Sequence, residues 1–139
     1  MRALIALDWS EQAFAAVREV SYLYDLHEVI LVHGIDLGMF QYPIVAEVSN
    51  MQGYDDFRKA MGKAGEQLLD HTSTLLPSEG LSITRVCEFG KPASLILDKA
   101  RETHADLIVI GARGRGRVGE LVLGSVSHRV ALHADCTTL

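Results

Sequence analysis

Residues 107–133 read LIVIGARGRGRVGELVLGSVSHRVALH, and their order decides the fold. An apolar run, Leu107 to Ile110, leads into a glycine-rich loop with Arg113, Arg115 and Arg117, and Gly124-Ser125 then opens a helical pattern. A strand that ends in glycines and hands the chain to a helix N-terminus presents backbone N–H groups to an anion. The helix dipole favours negative charge at the same place. The stretch therefore predicts a phosphate-holding corner of a small nucleotide-binding α/β domain.

The flanking sequence supplies the rest of that domain. Upstream, Gly90-Lys91-Pro92-Ala93 restarts a helix with proline in its first turn, and Leu95, Ile96 and Ala100 give it a packing face. Before it, Leu81, Ile83, Arg85, Cys87 and Phe89 show near-alternation, which predicts an edge strand with one wetter face. At the start of the chain, Ala3 to Leu7 is continuously apolar, as in a strand covered on both faces. Asp8-Trp9-Ser10-Glu11 breaks the run, and Ser10 is placed to cap a helix whose apolar positions are Ala13, Ala16, Val17, Val20, Leu23 and Tyr24. Glu28 to Ile35 is a second apolar run, so the chain opens β-α-β, with a parallel pair and a right-handed crossover.

Leu37 to Gly53 has no clean period and contains Gly38 and Pro43, which predicts a loop of lid type. Tyr54 to Leu76 is expected to be a long helix burying Phe57, Met61, Ala64, Leu68, Leu69 and Leu75. Gly62 and Gly65 within it cost about 1 kcal/mol each relative to alanine, so close packing is expected there. Pro77 to Gly80 ends it. Strands alternating with helices predict a doubly wound open parallel sheet with helices on both faces. Without repeat, linker or low-complexity segment, residues 1–139 read as a single domain.

The totals agree. With 139 residues, 48% of them hydrophobic, the chain can enclose a core of its own. A net charge of −5 argues against nucleic acid as the main partner. No apolar run approaches the roughly 18–20 residues of a membrane span, and the N-terminal run is too short for a secretory signal. Cys87 and Cys136 form no CxxC pair, so a reduced cytoplasmic setting with structural thiols is expected.

In an open parallel sheet, ligands sit beyond the carboxyl ends of the strands. Asp8, Gly34, Gly90 and Gly111 fall at such ends, and Asp8 reads either as a ligand contact or as a solvated turn residue. Gly111 and Gly116 have the spacing of a Walker loop, but Arg117-Val118 stands where lysine and a hydroxyl are required, so that reading fails. Gly114, Gly116 and Gly119 match G-x-G-x-x-G, but no later strand ends in an acid to hold a ribose, which disfavours a dinucleotide site. The histidines, His27, His33, His71, His104, His128 and His133, show no metal-ligand spacing, and no Ser-His-Asp or Cys-His set can be argued. For Trp9, packing on the helix and a place near the ligand both stay open.

A third reading is more specific. Gly111, two residues, Gly114, nine residues, then Gly124-Ser125 resembles the G-2x-G-9x-G-S/T pattern of the universal stress protein family, in its ATP-binding branch. LIALDWSE, VILVHGID, FGKPASLILDKA and GSVSHRVALHA resemble that family's first strand and turn, second strand, Gly-x-Pro-Ala turn and last helix. The resemblance implies strand order 3-2-1-4-5 and ATP across the ends of strands 1 and 4, with any magnesium held mainly by the phosphates. Carried over by position, Asp8 would meet the ribose or adenine edge, and Gly34 and Ile110 would border the base. Gly111, Arg113 and Gly114 would follow the sugar and phosphates, and Gly124, Ser125 and Val126 would hold the phosphates. Physically, Gly111 and Gly114 allow close backbone approach, Ser125 can cap the helix, and Arg113 can donate charge-assisted hydrogen bonds.

Two positions depart from the family pattern. Gly34 replaces a branched apolar residue, which removes a wall against the base. The sequence after Asp135 lacks the usual apolar fifth strand, so that strand is expected to be truncated or absent and the family's homodimer weakened. The functional readings are three: an ATP-binding stress or signalling module, a slow ATP hydrolase, or an interaction module taking AMP, a cyclic nucleotide or none. Against the hydrolase stands the lack of a recognisable general base near the phosphates.

Overall fold

β1 (Arg2–Ala6) is the central strand, paired in parallel with β2 (Glu28–Ile35) on one side and β4 (Leu107–Ile110) on the other. Its neighbours explain why Ala3 to Leu7 is apolar without alternation: both faces are covered. The computed structural model describes residues 1–40, 51–112 and 123–139. β3 (Ser82–Phe89) pairs with β2, and β5 (Thr137–Thr138) with β4, giving a five-stranded sheet in the order β3-β2-β1-β4-β5. The fifth strand is therefore truncated, not absent. It is extended by Leu139, whose N–H donates to the Ile108 carbonyl and whose carbonyl accepts from the Ile110 N–H, at 2.8 and 3.0 Å.

Four α-helices among the described residues cover the sheet: α1 (Glu11–Leu23), α2 (Met51–Ser73), α3 (Pro92–Glu102) and α4 (Ser125–His133). Alternate residues of each central strand serve opposite faces. Ala3, Ile5, Val29, Leu31, Leu107 and Val109 pack with Val17 and Val20 of α1 and Leu68 and Leu69 of α2. Leu4, Ala6, Ile30, Val32 and Ile108 pack with Ile96 and Ala100 of α3 and Val130 of α4. Each valine, leucine or isoleucine among them contributes about 1.5–3 kcal/mol when fully buried. The two apolar layers, rather than the exposed ion pairs, hold the sheet and its helices together.

Several boundaries differ from the sequence expectation. β1 starts one residue earlier, although Leu7 stays buried and donates to the Val32 carbonyl at 2.9 Å. α2 starts at Met51 and stops at Ser73, where Thr74, Leu75 and Leu76 continue in turn-type hydrogen bonds to His71, Thr72 and Ser73. The segment expected to be a loop begins as a 3-10 turn, Leu37–Phe40, and its last residues belong to α2. Residues 41–50, on which the lid reading rests, lie outside the described residues.

The helix ends follow from local chemistry. Ser10 caps α1, its hydroxyl oxygen accepting from the Ala13 N–H at 3.2 Å. α3 ends in paired bonds from His104 N–H to the Arg101 carbonyl (3.1 Å) and from Ala105 N–H to the Ala100 carbonyl (2.9 Å). That Schellman arrangement requires the left-handed φ of 51° at His104.

Candidate functional site

The sheet reverses direction of winding between β1 and β4. From β1 the chain moves outward to β2 and β3, and from β3 it returns across to β4 on the other side of β1. Ala6 is in register with both Val32 and Ile110, so Asp8 and Gly111-Ala112 leave neighbouring strands at one end of the sheet. This is the switch point at which open α/β sheets receive ligands.

On the β1 side, Asp8 is fixed by the helix that follows. Its Oδ1 accepts from the Ser10 N–H at 3.1 Å and from the Ser10 hydroxyl. Oδ2 has no hydrogen-bond partner among the described residues. Trp9, between them, is 41% exposed and holds φ at 52°. His33 is partly buried, and its Nδ1–H donates to the Leu7 carbonyl at 2.7 Å, as a satisfied strand-end histidine should.

Gly34 has a packing role. A Cβ built there would stand 3.0 Å from Pro92 Cα and 3.3 Å from Leu95 Cδ2, so the missing side chain lets α3 begin close against β2. Gly34→Val is therefore expected to destabilise the fold by about 1–3 kcal/mol through overpacking. Denaturant unfolding of the variant checks this. A neutral or stabilising result would show that α3 yields at Pro92.

On the β4 side, two hydrogen bonds join the strand end to the start of α4. The Gly124 N–H donates to the Ala112 carbonyl at 2.8 Å, and the buried Ser127 hydroxyl donates to the Gly111 carbonyl at 2.7 Å. The expectation that Ser125 caps α4 is not met. Gly124 is the N-cap, without a side-chain cap hydrogen bond, and Ser125 is the exposed first helical residue. The first N–H groups of a helix have no intrahelical acceptor, so α4 leaves its donors at the switch point. Val126 is half-buried against the α3 face of the core, as is Ile110.

Ser127 is the residue that sequence reasoning missed. Its position in the first turn of α4, two residues after Ser125, was a visible signal, but the Gly111 carbonyl as its acceptor was not. Arg113, Gly114, Arg115 and Arg117 lie outside the described residues.

Little else competes for a chemical role. Burial raises the Cys87 thiol pKa, with the Glu66 charge adding to the effect. Burial also raises Cys136, followed by the charges of Asp135 and Asp106. Neither cysteine is an activated nucleophile. Among the described residues no group of three or more His, Cys, Asp or Glu is arranged to hold a metal ion, and no helix is long and apolar enough to cross a membrane. A cavity of about 470 Å³ lies between α3, β4 and the segment that joins α4 to β5, lined by Leu97, Arg101, His104, Ile108 and Cys136 among others. It sits toward the amino end of β4, away from Asp8 and Gly124.

Comparison with known proteins agrees with this geometry. The sequence pattern of the universal stress protein family matches residues 1–139. Universal stress protein YxiE of Bacillus subtilis is 34% identical over 85 residues, which span 61% of this chain and 57% of YxiE. The solved structure of hypothetical protein MJ0577 superimposes with a TM-score of 0.74 at 26% identity, over 99% of this chain and 92% of that one. An Arabidopsis thaliana family protein, At3g01520, solved with AMP bound, shares the fold with a TM-score of 0.67 at 18% identity, over 100% and 89% of the two chains. With its whole length matched and its strand order the same as the resemblance implied, this chain belongs to the universal stress protein family.

Proposed function

We propose that this chain is a nucleotide-dependent stress-response or signalling module, cytoplasmic, that binds ATP where β1 and β4 end. The observation that carries the reading is the N-terminus of α4, which has no side-chain cap among the described residues, tied by Gly124 and Ser127 to the end of β4 and set beside Asp8. In this reading Gly124, Ser125 and Val126 hold the phosphates through the helix N-terminus, aided by Arg113. Gly111 and Gly114 let the backbone follow the sugar and phosphates, while Asp8 meets the ribose or adenine edge through Oδ2. Ile110 and Gly34 border the base, Gly34 through its backbone, since its missing side chain faces Pro92. Magnesium, where present, rides mainly on the phosphates. A weak homodimer belongs to the same proposal.

Gly114→Val is expected to weaken ATP binding at least tenfold, because a branched side chain blocks the backbone approach to phosphate. Ser125→Ala is expected to weaken it about 10- to 150-fold, the range of one lost hydrogen bond to a charged group. Calorimetric titration of both variants, with circular dichroism to confirm folding, makes the test. Parent-like binding by both would overturn the site assignment. AMP as the resident ligand is the second reading, favoured by the AMP-bound Arabidopsis relative. Equal affinity for AMP and ATP, with no loss in Ser125→Ala, would select it.

A further inference from the structure

Two non-glycine residues among those described hold a left-handed φ, and only one of them ends a helix. At His104 the conformation completes the Schellman end of α3. Trp9 terminates no helix. A tryptophan at φ 52° is strained, since its Cβ crowds the backbone in a conformation that glycine adopts freely. The fold nevertheless imposes it: Leu7 is anchored to Val32 before it, and the Asp8–Ser10 turn and the α1 cap lock the chain after it. The ring gains little from the core in return, being 41% exposed with no aromatic or cation-π partner among the described residues. Strain kept at a bulky exposed residue, at the switch point and next to Asp8, marks a ligand clamp rather than a packing solution.

We propose that Trp9 is the base platform of the site: its indole stacks on the base of the bound nucleotide while Asp8 engages the nucleoside edge. The inference rests on the nucleotide reading above and adds a contact at the base end, remote from the phosphates. Stacking on an aromatic face tolerates any base, so the contact supports affinity and orientation more than base choice.

Trp9 is the sole tryptophan of the chain, so its emission reports the contact directly. ATP and AMP are each expected to quench that emission saturably, with the midpoint that calorimetry gives. Trp9→Gly should lose about 5- to 100-fold in affinity for ATP and AMP alike, the usual span for a lost base–aromatic stack. Trp9→Phe should keep most of it. Inorganic tripolyphosphate, which has no base, should bind the parent and Trp9→Gly equally. Because the strain is released, Trp9→Gly should also melt a few degrees above the parent. A gain in melting temperature together with a loss in nucleotide affinity is the signature of the proposed role. Parent binding of ATP that neither quenches Trp9 nor weakens in Trp9→Gly would overturn the platform and leave the nucleotide site standing. No binding of ATP or AMP to the parent would overturn both. A change of oligomeric state in Trp9→Gly with unchanged nucleotide affinity would assign the ring to a chain contact and overturn the platform.

Discussion

Leu31→Ala is expected to lower the unfolding free energy by about 3–5 kcal/mol. Leu31 lies in the middle of β2, fully buried, in register with Ile5 on β1 and Arg85 on β3, and packed in the layer that α1 and α2 cover. Its backbone is held by two flanking strands, so the sheet cannot close the space that the missing atoms leave. Leu69 and Val17 are themselves in the interior of helices and cannot follow far. The cost therefore combines lost transfer energy with a retained cavity. Against a total stability of about 5–15 kcal/mol, such a change brings the variant close to unfolding at growth temperature. Urea denaturation should show a lower midpoint with an unchanged slope. A loss below about 1 kcal/mol would mean that α2 moves inward freely, and the packing described for this face would be wrong.

Gly65→Val is expected to cost about 3 kcal/mol, from overpacking rather than from a void. A Cβ at this position would stand 2.6 Å from Cys87 Sγ, 2.9 Å from His33 Cδ2 and 3.4 Å from Ile35 Cδ1. None of these atoms can move aside easily. The His33 ring is held by the Leu7 carbonyl, Cys87 is in register with His33 on β3, and Ile35 is buried. α2 must then lift from the sheet at its middle. Gly62, one turn earlier, provides the contrast: a Cβ there meets Phe89 at 3.6 Å, an ordinary contact. Gly62→Ala should stabilise α2 by up to about 1 kcal/mol, through helix propensity alone. Thermal melts of the two variants should thus move in opposite directions. Equal shifts would show that α2 does not approach β2 and β3 as closely as described.

The difference between these two glycines shows what the sequence could and could not reveal. Both read as weak points of one helix, and close packing was a fair expectation for each. Only the structure separates them, because the separation depends on which side chains β2 and β3 turn upward. The sheet itself was legible. Runs such as Ala3 to Leu7 and Val29 to Val32 are apolar at every position because each residue has a helix above or below it. β5 was harder, since Thr137-Thr138 carries almost no apolar signal, and its pairing depends on backbone bonds to Leu107 and Ile108.

The site was legible in outline for a different reason. Glycine and serine spacing records where the backbone must approach an anion, and that constraint survives in one sequence. Orientation does not. Gly34 reads as an opening toward a base, whereas its vacant side faces Pro92, because β2 alternates between the two faces and the apolar run Val29 to Val32 hides that alternation. Ser125 and Ser127 are equally plausible caps by type, and the carbonyl of Gly111 decides between their roles.

The central place of β1 in the sheet also has a consequence for how the chain is made. Its first partner, β2, follows within one helix, but its second partner, β4, is more than a hundred residues away. Until Leu107 to Ile110 emerges from the ribosome, a growing three-stranded sheet carries β1 as an open edge. Parallel pairings over such separations form slowly, and unpaired apolar edges are where nascent chains stick to one another. Docking of β4 therefore closes that edge and completes the central pairing. The strand that brings the glycine loop to the site is also the one that ends the chain's most aggregation-prone interval.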